Sequence, residues 1–142
     1  MVIENWSLVI KNFMRFSTRA GYGLRATVNL ARNYPEQKSL QEISKEEGIS
    51  LKYLEQLFRA LKKSKLITSQ KGREGGYTLS KNPKNIRVGE IIEILEGPIV
   101  PMECASGKCD SKCSCASSIV WTKLQTQIKK TLYSIKLKDL TR

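Results

Sequence analysis

Hydrophobic and polar positions change period several times along the chain. In residues 18–33, Leu24, Val28 and Ala31 recur at helical spacing, which predicts an amphipathic helix. Thr18 offers an N-cap oxygen and Pro35 stops the segment. Residues 40–47 predict a second, short helix with Leu40 and Ile43 as its apolar positions. Ser39 and Glu42 stand at capping-box spacing before it, and Gly48 supplies a tight turn after it. Ser50 then caps a third helix over residues 50–63, whose apolar stripe is Leu51, Leu54, Leu57, Phe58 and Leu61. At about 100° per residue, Lys52, Gln56, Arg59 and Lys63 fall on the opposite face.

The pattern next becomes strand-like. Residues 66–68 and 77–79 read as two short strands around the connection SQKGREGG. Its three glycines permit positive φ and close backbone approach, and Lys71 and Arg73 sit near the tip. Residues 88–96 return to helix, with Ile91, Ile92, Ile94 and Leu95 mostly inward, and Gly97-Pro98 ends it. Loop 98–115 holds every cysteine. Residues 116–134 form a long helix with one stripe of Val120, Leu124, Ile128 and Leu132, and Trp121 beside it. Such a stripe buries against its own domain or against a second copy, and we expect it to be a dimer seam. Residues 1–13 form an extension in which Trp6, Val9, Ile10 and Phe13 share one helical face.

Helix, glycine turn and basic-faced helix followed by a glycine-rich hairpin is the pattern of a winged helix-turn-helix, with the helix in the major groove and the wing on the flanking backbone. The expected fold is mainly α with a small β-hairpin wing, followed by a long C-terminal dimerisation helix. The divisions are 1–13 (extension), 14–97 (winged helix-turn-helix), 98–117 (cysteine-rich sensor loop) and 118–142 (dimerisation helix and tail). Gln56 suits an adenine edge; Lys and Arg suit phosphates or guanine; an arginine at the wing tip suits a narrow minor groove. The candidate DNA contacts are Ser50, Lys52, Tyr53, Glu55, Gln56, Arg59 and Lys63 on the helix, and Lys71, Arg73, Gly75 and Gly76 on the wing. The plainer alternative is an ordinary amphipathic helix with a solvated face.

Charge favours the nucleic-acid reading. The net charge over 142 residues is +12. Residues 14–87 hold 16 Lys+Arg against 6 Asp+Glu, while residues 88–142 hold 8 against 6. The excess is thus concentrated on the segment that would meet a polyanion. Histidine is absent, which removes His-based acid–base and nucleophile chemistry and imidazole ligands; no phosphate loop or paired-carboxylate motif appears either, so an enzyme is not expected. No apolar run approaches the ~18 residues of a membrane span. A cytoplasmic location is expected, where four cysteines serve as ligands or redox thiols rather than structural disulfides.

The cysteines follow the pattern Cys104-x4-Cys109-x3-Cys113-x1-Cys115 within ECASGKCDSKCSCASS. Thiolates select iron–sulfur clusters, zinc or copper(I). The lack of paired C-x2-C knuckles argues against a standard zinc site. The single residue between Cys113 and Cys115 is awkward for one metal ion and easier for a cluster. Loop thiols without a metal, or a reversible disulfide switch, remain the alternatives.

MRFSTRAGYGLRATVNLA, ISKEEGISLKYLEQLF, GREGGY and VGEIIEILEGPI resemble the IscR, NsrR and CymR group of bacterial winged-helix regulators over about residues 14–140. That resemblance implies a homodimer on palindromic promoter DNA. Its cluster-binding members carry three cysteines before the dimerisation helix, and by register to Trp121 these match Cys104, Cys109 and Cys115. It implies an iron–sulfur cluster, for which we favour the 2Fe–2S form over 4Fe–4S. The histidine ligand of one branch falls at Ser118 and the acidic ligand of another at Gly21, so the fourth ligand is open; Cys113 is the first candidate, then Glu103 or Asp110. For DNA the resemblance matches Lys52, Tyr53, Glu55, Gln56 and Arg73, with Glu55 as a tuner of site selectivity. EGPIVP resembles the CymR-like members, which lack the cluster cysteines. The leading expectation is a cluster-controlled repressor; the alternative is a cluster-free, thiol-responsive regulator of cysteine and sulfur metabolism, with a possible enzyme partner.

Overall fold

The computed structural model describes residues 16–73, 75–102, 105 and 115–142. The expectations for residues 1–13 and for Cys104, Cys109 and Cys113 lie outside the described residues, as do those for Glu103 and Asp110.

Helix α1 spans Thr18–Asn33. Its N-cap is Ser17, whose side chain accepts from the Ala20 amide, and not Thr18; both carry hydroxyls, and where the backbone leaves its extended conformation decides between them. Its buried face is Ala20, Gly23, Ala26, Thr27, Asn29, Leu30 and Ala31, while Leu24 and Val28 are half-buried at its margin. Helix α2, Leu40–Glu47, carries the capping box of Ser39 and Glu42. Gly48 follows at φ 65°, the left-handed turn that a side chain would strain. Helix α3, Leu51–Lys63, is capped by Ser50 and buries Leu54, Leu57, Phe58 and Leu61.

Strands β1 (Ile67–Gln70) and β2 (Gly76–Leu79) pair antiparallel, Ile67 opposite Leu79 and Gln70 opposite Gly76. Pairing therefore extends further toward the tip than residues 66–68 and 77–79 alone, because Ser69 and Gln70 continue the ladder. Lys38 joins it through mutual backbone bonds with Tyr77, 2.8 and 3.0 Å. After a 3-10 turn at Pro83–Asn85, helix α4 covers Val88–Glu96 and buries Val88, Gly89, Ile91, Ile92 and Leu95. Helix α5 covers Ser118–Ser134, starting later than residue 116, and a 3-10 turn at Leu137–Leu140 closes the chain.

The main core gathers residues from α1, α2, α3, both strands and α4, together with Leu137 from the C-terminal turn. Full burial of each large side chain contributes about 1.5–3 kcal/mol. Leu137 is seated by backbone bonds, its N–H donating to Ile86 O and Val88 N–H donating to Ile135 O. A second cluster of Ala20, Val88, Ile92 and Ile99 takes Ile128 and Leu132 of α5 against it. The stripe on α5 thus divides: its C-terminal half packs on its own domain, while Val120 is 57% and the neighbouring Ile119 58% exposed.

Candidate nucleic-acid interface and cysteine loop

The face of α3 opposite the core presents Lys52, Glu55, Gln56, Arg59 and Lys63, all exposed. Ser50 Oγ accepts from Tyr53 N–H at 3.3 Å, so its side chain fixes the start of this helix. Tyr53 is half-buried, its ring edge-on to Tyr22 with centroids 5.9 Å apart.

Lys71, Gly72 and Arg73 are exposed at the tip of the hairpin. Of the wing glycines, Gly72 alone has positive φ, at 127°. Gly75 and Gly76 are needed for close approach instead: a Cβ on Gly75 would lie 2.4 Å from Gln70 O, and one on Gly76 2.7 Å from Lys38 O. Gly76 is buried beneath the backbone of Lys38, a structural constraint that the glycine-rich sequence alone did not distinguish from contact with DNA.

Between α3 and the wing runs a groove whose walls include Glu55 and Lys62 on one side and Gln70 and Lys71 on the other, with Ser39 and Gln41 from the start of α2 at one end. Lys52, Gln56, Arg59 and Lys63 stand outside it, on the outward face of the helix. Lys62 and Gln41 were not singled out from sequence, and Ser39 was named only as the cap of α2. Lys62 had a detectable signal, since at helical spacing it lies on the same edge of α3 as Glu55.

Among the cysteines, only Cys115 is described. It is exposed, two residues before the N-cap Ser117, with its Sγ 2.8 Å from Ser117 Oγ. Its carbonyl accepts from Ser118 N–H at 2.9 Å, which joins the loop to α5. The other end of the loop is anchored at Ile99, which is buried and whose carbonyl accepts from Gln125 Nε2 at 2.9 Å. Gln125 lies seven residues into α5, roughly 10 Å from its start at 1.5 Å per residue. Four thiols with no imidazole form a donor set suited to iron and sulfide. Among the described residues, no three acidic or thiol side chains converge on one point. Ser118 begins α5 and is half-buried; Gly21 is exposed on α1.

The model for Rrf2, described as an iron-dependent transcriptional regulator, matches residues 16–142. The chain belongs to the Rrf2 family. It is 36% identical over 128 residues to the HTH-type transcriptional regulator CymR of Bacillus subtilis, covering 89% of each chain. The structure of B. subtilis CymR, described as the global cysteine regulator, superposes with a TM-score of 0.79 at 33% identity, over 91% of this chain and 97% of that one. IscR of Escherichia coli O1:K1 / APEC is 34% identical over 129 residues, 89% of this chain and 80% of IscR. The T. potens IscR structure matches with a TM-score of 0.73 at 37% identity, over 89% of this chain and 85% of that one. This Rrf2-family chain is a DNA-binding transcriptional regulator with a winged helix, and not an enzyme. No helix among its described residues is long and apolar enough to cross a membrane.

In this Rrf2 chain a polar network sets α2 against α1. The buried Asn29 donates through Nδ2 to Glu46 at 2.9 Å and to Glu47 at 2.8 Å. Arg25 pairs with Glu47 at 3.3 Å, and Lys38 pairs with Glu46. The hydrogen bond from Lys38, then that from Asn29, holds the Glu46 carboxyl below its ordinary range. Glu42 is lowered too, first by the Ser39 backbone N–H of the capping box. Both carboxylates are exposed and screened, so their role here is orientation more than stability.

Proposed function

We propose that this chain is a homodimeric repressor that reads a palindromic operator and whose DNA affinity is set by an iron–sulfur cluster on the cysteine loop. The observation carrying this reading is the position of that loop. It starts at Ile99 in the second core cluster and ends at Cys115 on the lip of α5, with Gln125 bonding its first end to the same helix. The iron dependence that describes the family and the likeness to IscR support the cluster. Cys104, Cys109 and Cys115 would hold it, with Cys113 as first candidate for the fourth ligand and Glu103 or Asp110 after it. We favour 2Fe–2S. The cluster, when bound, supplies a redox-sensitive and iron-sensitive crosslink between loop segments.

On DNA, Lys52, Gln56, Arg59 and Lys63 face the major groove, with Ser50, Tyr53 and Glu55 on the leading part of the helix. Lys71 and Arg73 reach the flanking groove, and Gly75 and Gly76 shape the wing that carries them. The exposed Ile119 and Val120 supply part of a seam with a second copy. Two recognition helices must then stand one DNA turn apart, ~34 Å. Ordering or releasing the loop shifts the dimer toward or away from that spacing, and tenfold in affinity needs only about 1.4 kcal/mol.

The test is anaerobic purification with iron, sulfide and visible-absorption analysis, then titration of one duplex with holo and apo protein at fixed salt. We expect colour that is lost with serine at Cys104, Cys109 or Cys115, and affinities that differ between the two forms. Absence of iron and sulfide, with DNA affinity instead responding to thiol oxidation, would favour the second reading. The CymR likeness supports that reading: a thiol-responsive regulator of sulfur metabolism, with a possible enzyme partner.

A further inference from the structure

The hairpin is fastened to the recognition helix at two levels. At its base Ile67 and Leu79 face each other and are buried, and level with the next pair outward on that face the Tyr77 ring meets Phe58 edge-on at 5.0 Å. One step outward, Ser69 pairs with Tyr77 and stands on the same side of the strand as Ile67, because alternate residues share a face. Its Oγ accepts from Lys62 Nζ at 2.6 Å. Lys62 is one turn beyond Phe58 on α3, so the lysine and the apolar anchor lie along the same edge of the helix. Among the described residues this is the one side-chain hydrogen bond joining α3 to the hairpin. Beyond it come Gln70 and the exposed tip with Lys71 and Arg73.

We propose that Lys62, through Ser69, is a positioning residue for DNA binding: it sets the opening between the recognition helix and the wing. The proposal rests on reading the helix and wing as the DNA-facing elements. The wing is a lever pivoting on its apolar base. The tip stands on the order of 10 Å beyond Ser69, three to four residues at ~3.3 Å each. A tilt of about 20° moves such a tip by roughly 3.5 Å, enough to part a tip cation from a phosphate oxygen. The bond at Ser69 removes that tilt before DNA arrives, so the tip cations meet the backbone without a further ordering cost. Lys62 also sits in the last turn of α3, where the helix dipole favours a cation.

The experiment uses the full-length protein and a duplex that it enriches from a randomised double-stranded library. Binding is measured for Lys62→Ala, Ser69→Ala and the double variant, each with and without Lys71→Ala. We expect Lys62→Ala and Ser69→Ala each to weaken binding roughly three- to tenfold, the scale of one partly exposed charge-assisted hydrogen bond. The double variant should be no weaker than the worse single one. In either background Lys71→Ala should lose much of its effect, while Gln56→Ala should keep its own. Ser69→Thr, which keeps the hydroxyl, should restore affinity, and hydroxyl-radical footprints should lose protection only where the wing lies. Thermal melting reports whether the hairpin still folds. A loss confined to Lys62→Ala, with the salt slope reduced by about one contact and Ser69→Ala silent, would make Lys62 a phosphate ligand and overturn the strut. Silence of both variants would overturn it as well. If Lys71→Ala and Arg73→Ala are silent in the otherwise unaltered protein, the reading of the wing as a DNA element fails, and the strut falls with it.

Discussion

Helix α3 buries four residues, Leu54, Leu57, Phe58 and Leu61, whereas the longer α5 buries none. The difference lies in what surrounds each helix. α3 is enclosed by α1, α2, α4 and the hairpin. Its apolar stripe faces one continuous core, and its polar face is left free to read a partner. α5 touches α4 along its C-terminal half and leaves Ile119 and Val120 open at the other. The first helix is thus held by its own domain. The second is held along its C-terminal half only, and its open N-terminal end follows the cysteine loop, where, under the proposed function, loop order or a partner copy acts on it without unfolding the reader.

The largest effect that would sharpen this contrast is at Phe58. Phe58→Ala leaves a cavity in the enclosed core and should cost about 3–5 kcal/mol in denaturant unfolding. Ile119→Ala on the open end of α5 should change unfolding of the isolated subunit by no more than about 0.5 kcal/mol. Equal costs at the two positions would break the comparison.

A smaller effect is expected where α5 does dock. A Cβ on Gly89 would lie 2.3 Å from the Tyr133 ring, so the glycine is what lets that ring press on α4. Gly89→Ala should destabilise by about 1–3 kcal/mol, as other overpacking substitutions do. Gly21→Ala is the matching control: its Cβ meets nothing within 4 Å, and in a helix it should stabilise by about 0.5–1 kcal/mol. Chemical unfolding of both variants checks the pair; the same sign for both would mean that the docking of α5 does not depend on this contact.

The smallest effect concerns the same joint and pH. Tyr133 Oη donates to Glu93 Oε2 at 2.6 Å, and this bond, followed by burial, pushes the phenol up to about 12 from its usual 10.0. A raised pKa means that the folded chain keeps the proton longer than the unfolded one. The contribution to stability is therefore complete below pH 10 and is lost as pH rises from there through about 12. Phenolate absorbance should show one tyrosine titrating late, and Tyr133→Phe should remove both that titration and its share of the alkaline loss of stability.

Local chemistry made much of the reader legible. The capping box at Ser39 and Glu42, the left-handed Gly48, the Ser50 cap and the stripe of α3 were all readable because each depends on residues within one or two turns. The basic outer face of α3 and the wing cations followed from periodicity and charge for the same reason. Less legible were features that depend on what lies across the fold. Leu137 sits in a short 3-10 turn with no periodic stripe to mark it, yet it is fully buried because its backbone bond to Ile86, beside that of Val88 to Ile135, draws it into the core. Leu24 and Val28 have helical spacing but lie at the margin, since the small Ala20, Gly23 and Ala26 let neighbouring elements approach the adjacent face.

At the interface itself the sequence determined which chemistry is available: cations and Gln56 on one helical face, glycines and cations on a hairpin, thiols on a loop before the last helix. The tertiary structure decided how some of it is used. It assigned Gly75 and Gly76 to close backbone packing, brought Lys62 to Ser69, and divided the α5 stripe between a docked and an exposed half. The reason is range. Caps, turns and amphipathic faces are fixed by neighbours in the chain, whereas a cross-element contact exists only once packing has set the distance between residues that the sequence itself leaves apart.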